Sequence, residues 1–227
     1  MDTDTLRFAS AKKWAEFVFD RPLPAAGEEA WSWDLEIYGR SIDCRHSLLM
    51  AAETFENAAA NLSCFSNAQI EQGLRYISSN ACSDQLQGLS DDDIPADERI
   101  RTLRSFIPLF RDVVAARFPT ALRHLNESCG DFIGCSIYMW WDVLPICGKP
   151  ESESGRRVDE VVYEVMERLL DIPHDGVRES ALHGLGEWSC HYEERTRATV
   201  LRFLDRTPNL RPELKAYAKR AAEGMIL

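Results

Sequence analysis

The stretch VRESALHGLGEW, from Val177 to Trp188, has the pattern of one helix that contains two glycines. Val177, Ala181 and Leu185 recur every four residues, so they share one apolar face of that helix. A dinucleotide-binding loop needs the spacing GxGxxG directly after a strand, but here the third position is Ser189 and a charged turn comes before. The two glycines therefore predict close packing against a neighbouring helix.

The residues around this stretch resemble the second-helix signature of HEAT repeats, which has an acidic start, a Val-Arg pair, small residues and Leu-Gly. The matching residues are Pro173, Asp175, Val177, Arg178, Ala181, Leu185 and Gly186. In this resemblance Asp175 caps the helix. A fainter copy of the start, DIPADERIR at Asp93, lies about two repeat lengths of roughly 39 residues before DIPHDGVR at Asp171. The resemblance is clearest over 157–205.

Helical periodicity begins at Asp43 and continues over most of the remaining chain. It predicts about nine helices and almost no strand, with Pro108 kinking one long helix. Residues 1–40 are expected to form an N-terminal arm, in which WSWDLEIY, at 31–38, has the alternation of an extended segment. The predicted fold is all-α, and the HEAT resemblance implies an α-α superhelix of stacked hairpins in a single domain over 1–227.

The charge balance narrows the possible partners. Against 26 basic residues the chain has 37 acidic ones, which gives a net charge of -11. Nucleic acids and anionic membrane surfaces attract basic patches, so this balance argues against both as partners. A basic protein is the partner that the charge favours.

Sequence features also indicate a cytoplasmic protein without a membrane span. No run approaches the roughly 20 apolar residues that cross a bilayer. The N-terminal MDTDTLRFASAKKW carries acids and lacks the apolar core of a secretory signal. The seven cysteines contain no CxxC pair and lie beside apolar residues, which is typical of reduced, buried thiols.

An acidic segment, SDDDIPADE, is the first candidate for partner binding. Its five carboxylates are those of Asp91, Asp92, Asp93, Asp97 and Glu98. The glycine and the distal glutamate of an EF-hand are not in register, so a calcium loop is not predicted. Such a run is commonly a solvated loop, but exposed carboxylates would also suit docking against a lysine- or arginine-rich surface.

The segment YMWWD places Trp140 and Trp141 side by side. Neighbouring residues on a helix point about 100° apart, so at most one of the two is expected to be exposed. Core packing is the simpler interpretation. An exposed tryptophan here would be a natural hot spot for a protein partner.

A stripe of Glu179, His183, Glu187 and His191 follows the spacing i, i+4 and would lie on one face of an unbroken helix. Three interpretations are open for it: a solvated face, a partner-binding surface on the concave side of a HEAT arc, and a divalent metal site. HEAT-built deoxyhypusine hydroxylases hold a di-iron centre through His-Glu dipeptides. No such dipeptide occurs in this chain.

Two classes of function remain. No serine, threonine or cysteine lies in a recognisable nucleophile motif, and no cofactor is predicted. The favoured hypothesis is a non-catalytic protein that binds a basic partner, because the chain is similar to immunity-type bacterial proteins and to uncharacterised helical proteins with YMWWD and ALHGLG segments. In that hypothesis the acidic segment, the two tryptophans and Glu179, His183 and Glu187 meet the partner. The alternative is a metal-binding HEAT-like enzyme that uses the four-residue stripe.

Overall fold

A computed structural model describes residues 5–25, 31, 41–78, 81–128 and 133–226, and the side chains of 133–135 are outside this description. Its α-helices of four or more residues, in chain order, are α1 Ala11–Phe19, α2 Cys44–Glu56, α3 Ala58–Asn61, α4 Asn67–Ser78, α5 Ala96–Pro108, α6 Ile133–Tyr138, α7 Trp140–Val143, α8 Glu153–Leu170, α9 Asp175–Glu187, α10 Ser189–Arg206 and α11 Pro212–Ala221.

The all-α prediction is confirmed, with 67% helix and no strand in the described part of the chain. The eleven helices are two more than the nine expected. Part of the excess arises where one expected helix, starting at Asp43, is interrupted at Asn57, whose φ of -128° and ψ of 50° are not helical. The predicted extended segment at 31–38 lies outside the described residues except for Trp31, whose ring centroid is 4.4 Å from that of Tyr76.

Contacts divide the chain into two compact units, 1–113 with 143–145 and 114–142 with 146–227. In the first unit, α2 packs against α1, α5 and the 3-10 turn Gln87–Leu89. Trp14 of α1 is fully buried there, and its indole N–H donates to Gln85 Oε1 at 2.8 Å. Its ring meets that of Phe55 edge-on at 5.8 Å, which joins α1 to α2.

In the second unit, α9 is the central helix, because α6, α8, α10 and α11 all pack against it. Matched pairs join α8 to α10: Glu160 with Arg195 at 2.6 Å, Tyr163 with Thr196 at 2.8 Å, and Asp171 with Arg206 at 3.1 Å. Since both partners advance together along the chain, α8 and α10 run in the same direction. His183 and Tyr217 join α9 to α11 at 2.8 Å.

Several local expectations are corrected or confirmed by the backbone. His174, not Asp175, is the N-cap of α9, because its Nδ1 accepts a hydrogen bond from the amide of Val177 at 3.2 Å. Pro108 is followed at once by a π-helical turn over Leu109–Val114, which fits the expected irregularity of that helix. Helix α10 is kinked at Tyr192, whose φ of -141° and ψ of 52° are not helical.

In the described ranges, none of the helices has both the length and the apolar character required to cross a membrane.

Candidate functional site

The acidic segment is a tightly folded turn that leads into α5. Asp91 Oδ1 accepts a hydrogen bond from the amide of Asp93 at 2.9 Å, which closes a turn of the kind that aspartate favours. Ile94 follows as a buried anchor with 4% of its surface exposed. Asp97 and Glu98 then lie in the first turn of α5, where carboxylates interact favourably with the helix dipole.

Among the predicted carboxylates, those of Glu98 and Asp92 are held by arginines of the described part of the chain. Arg45 of α2 donates two hydrogen bonds to Glu98, at 2.7 and 2.5 Å. These bonds hold the pKa of Glu98 below its usual range. Arg99, with 1% of its surface exposed, donates to Asp92 Oδ1 at 3.0 Å. Glu98 and Asp92 are thus each bound by an arginine, and these two ion pairs help to fix the turn.

We call the surface defined by Asp84, Asp91, Asp93 and Asp97 the acidic face. All four residues are exposed. Burial raises the pKa of the Cys44 thiol, and the carboxylates of Asp84, Asp43 and Asp91 raise it further.

Asp84 was not among the predicted site residues. It lies seven positions before Asp91 in the sequence, and the 3-10 turn Gln87–Leu89 folds the intervening chain back. The signal for it was only the acidic character of the loop as a whole.

Trp140 and Trp141 belong to the core. Their exposed fractions are 0% and 1%, so the predicted surface role of either tryptophan is not supported by its position. Trp141 packs directly on Gly184, where an added Cβ would lie 2.5 Å from Cγ of the indole. Gly186 meets Ile226 in the same way, at 2.6 Å. The prediction that both glycines permit close packing is confirmed.

The expected stripe on α9 is not continuous, and only Glu187 and His191 of its four residues are exposed. The helix ends at Glu187, and His191 belongs to α10, where its imidazole packs against Gly148. Glu179 is fully buried. Because neighbouring helices cover α9 on most sides, Glu179 and His183 cannot present themselves to a partner from this position.

The buried carboxylate of Glu179 binds a turn that lies far from it in the sequence. Its carboxylate accepts hydrogen bonds from the backbone amides of Arg123 and His124, at 2.8 and 2.9 Å. His124 Nδ1 lies 2.5 Å from the same carboxylate. These contacts involve both oxygens of the carboxylate and hold the 3-10 turn Arg123–Leu125 against α9.

His183 is 3% exposed and belongs to a buried polar cluster. Its Nδ1 lies 2.8 Å from the hydroxyl of Tyr217, which in turn lies 3.0 Å from the hydroxyl of Tyr138. Its Nε2 has no hydrogen-bond partner among the described residues and is 4.0 Å from Glu187. Burial lowers the pKa of His183, while burial and Asp142 raise that of Glu187.

Within the described ranges, no three His, Cys, Asp or Glu side chains come together in a group able to hold a metal ion. Glu179, His183, Glu187 and His191 are therefore not assembled into one site.

Comparisons with protein-family models, with curated proteins and with solved structures each find no match. The interpretation of function rests on the chemistry of the chain's own surface.

Proposed function

We propose that the protein is a non-catalytic binding protein whose acidic face engages a basic protein partner. The observation that carries this proposal is the exposure of Asp84, Asp91 and Asp93 on a turn that internal bonds hold in place. A surface that is already ordered loses little conformational freedom on binding, which favours affinity. Its role would be recognition of the partner.

Electrostatics support a cationic partner in particular. Arg45 and Arg99 are paired with Glu98 and Asp92, so both arginines are already engaged by acids. The net charge of -11 adds an attraction that acts before contact. Complementary charge of this kind raises the association rate, and added salt weakens the effect.

The finer form of the proposal is an immunity-type protein that neutralises a basic bacterial toxin or effector on a HEAT-like frame. The matched pairs between α8 and α10 support such a frame, because stacking of successive hairpins brings equivalent helices side by side. Direct coverage of the partner, rather than modification of it, would be the mechanism.

Charge reversal tests the proposal. The test chain carries Asp84→Lys, Asp91→Lys and Asp93→Lys, and the matched control carries Glu193→Lys, Glu194→Lys and Glu223→Lys, which change the net charge equally at exposed positions of the other unit. Each chain is immobilised and exposed to an extract of the native host at low salt. Bound proteins are identified, and the association of the purified partner is then measured at increasing salt.

We expect the unmodified chain and the control to bind the same basic protein, with an association rate that falls as salt rises. The face variant should bind it at least about tenfold more weakly. Recovery of no basic partner by the unmodified chain, or equal binding by the face variant, would overturn the proposal.

A further inference from the structure

A second surface of the first unit has the shape of a binding cleft. It lies between α1 and the segment that follows α2, and its volume is about 590 Å³. Sites for small ligands and side chains commonly measure about 300–1,000 Å³. The cleft is thus large enough to receive several side chains of another molecule.

The floor of the cleft is apolar and largely buried, since Ala11, Ala15 and Phe65 are 6%, 3% and 7% exposed. Ala11 and Ala15 are one helical turn apart on α1, and both line the cleft together with Phe65. The ring of Phe65 rests 5.7 Å from that of Phe19, which fixes it in the core. Because alanine side chains are short, the backbone of an incoming segment can approach α1 closely.

The rim of the cleft carries more acid than base. Glu16, Asp20 and Glu53 line it with one lysine, Lys12. Glu16 is paired with Lys13 at 2.6 Å. In the part of the chain that the structure describes, Asp20 and Glu53 form no ion pair within 4.0 Å, and both are exposed. Asp20 is the C-cap of α1, and Glu53 lies in α2.

We propose that this cleft binds a lysine- or arginine-rich amphipathic helix of the basic partner, a deeper form of the proposed function and dependent on it. The apolar stripe of such a helix would lie on Ala11, Ala15 and Phe65, in the manner of helix-in-groove recognition. Its cationic side chains would reach Asp20 on one side and Glu53 on the other. An acidic helix would meet like charge at both rims.

The probe for this proposal is a fluorescein-labelled synthetic peptide of leucine and lysine in an amphipathic pattern. A length of about 14 residues suits it, because shorter isolated helices are marginal in water. A second peptide with glutamate in place of lysine controls for charge. Binding is measured by fluorescence anisotropy with the full chain.

The cleft is blocked by Ala60→Trp, since Ala60 is exposed and lines it. Ala59→Trp is the matched control, because Ala59 is its exposed neighbour and does not line the cleft. Glu53→Lys reverses one rim charge. We expect Ala60→Trp and Glu53→Lys each to weaken binding of the lysine peptide about tenfold or more, and Ala59→Trp to change it less than about twofold. Far-ultraviolet circular dichroism confirms that each variant is folded.

Failure of the cleft and failure of the proposed function give different results. If the lysine peptide does not bind, binds equally to Ala60→Trp, or binds no better than the glutamate peptide, the cleft proposal is wrong. The acidic-face variant separates the two surfaces, because it should retain the peptide while it loses the host partner. Loss of the peptide by that variant, with normal binding by Ala60→Trp, would move the helix-binding site to the acidic face and overturn the cleft.

Discussion

Gly184 lies so close to Trp141 that a methyl group on the glycine would be 2.5 Å from Cγ of the indole ring. Real side chains do not approach this closely, so α9 can pass Trp141 only because residue 184 has no side chain. The indole is 1% exposed and has no room to retreat within the core. The absence of a Cβ atom at residue 184 therefore allows the close spacing between α9 and Trp141.

Substitution Gly184→Ala should destabilise the protein despite the better helix propensity of alanine. Overpacking a core costs about 1–3 kcal/mol, whereas the gain in helix propensity is about 1 kcal/mol. We expect a net loss of up to about 2 kcal/mol in the free energy of unfolding, measured with urea. In a Trp141→Leu background the same substitution should be neutral or stabilising. An equal loss in both backgrounds would show that the indole is not the cause.

The carboxylate of Glu179 should be important for stability, although it is buried and cannot contact a partner protein. Substitution Glu179→Gln replaces an acceptor of two backbone amides by a neutral amide, one end of which donates. Hydrogen bonds to charged groups contribute about 1.5–3 kcal/mol, so a loss of that order is expected in the free energy of unfolding.

Glu187→Gln, on the same helix, is the matched control, because the Glu187 side chain is 42% exposed. It should change stability by less than about 0.5 kcal/mol. Similar losses for the two substitutions would contradict the structural role of Glu179.

Sequence reasoning succeeded where the signal was local. The helical period, the irregularity after Pro108 and the packing role of Gly184 each depend on residues within a few turns of one another. The helical period also predicted that at most one of Trp140 and Trp141 would be exposed, and both are buried.

The predictions for Glu179 and His183 were wrong because their burial depends on residues distant in the sequence. Glu179 is polar and lies at a regular spacing with His183, so the local pattern predicts a solvated stripe. Its burial depends on the turn at Arg123–Leu125, more than fifty positions earlier in the chain, and that of His183 depends in part on Tyr217. No period in the sequence of α9 reports contacts of this kind. Asp84 is a different case, because it lies only seven positions before Asp91 and the local 3-10 turn Gln87–Leu89 lies between them.

The Arg211–Glu127 pair should have a measurable electrostatic signature. Hydrogen bonds from Arg211, and then from the amide of Leu122, lower the pKa of Glu127 to about 2. Substitution Arg211→Gln removes the first and larger cause, so the pKa of Glu127 should rise toward its ordinary value of about 4.3. Carbon-detected NMR titration of the glutamate carboxyl groups measures both chains. An unchanged pKa of Glu127 in the variant would contradict the assignment.

The pH dependence of stability should contain a contribution from His183. Burial lowers its pKa in the folded protein, so the unfolded chain binds a proton at higher pH than the folded chain does. Above the unfolded pKa of about 6.5 neither state is protonated, and stability is unaffected. As the pH falls below that value, the unfolded state gains the proton first, and stability is lost progressively until the folded pKa is reached.

We therefore expect the free energy of unfolding to decrease between pH 7.5 and pH 5.5 more steeply in the unmodified chain than in His183→Gln. One proton limits the difference in slope to about 1.4 kcal/mol per pH unit. Asp159, whose pKa is raised by burial, contributes with the opposite sign, but it is present in both chains and cancels in the comparison. Urea unfolding followed by tryptophan fluorescence at each pH gives both slopes. If the two slopes coincide, His183 does not cause the loss of stability at lower pH. Burial beside Tyr217 and Tyr138 would then not oppose protonation of its imidazole.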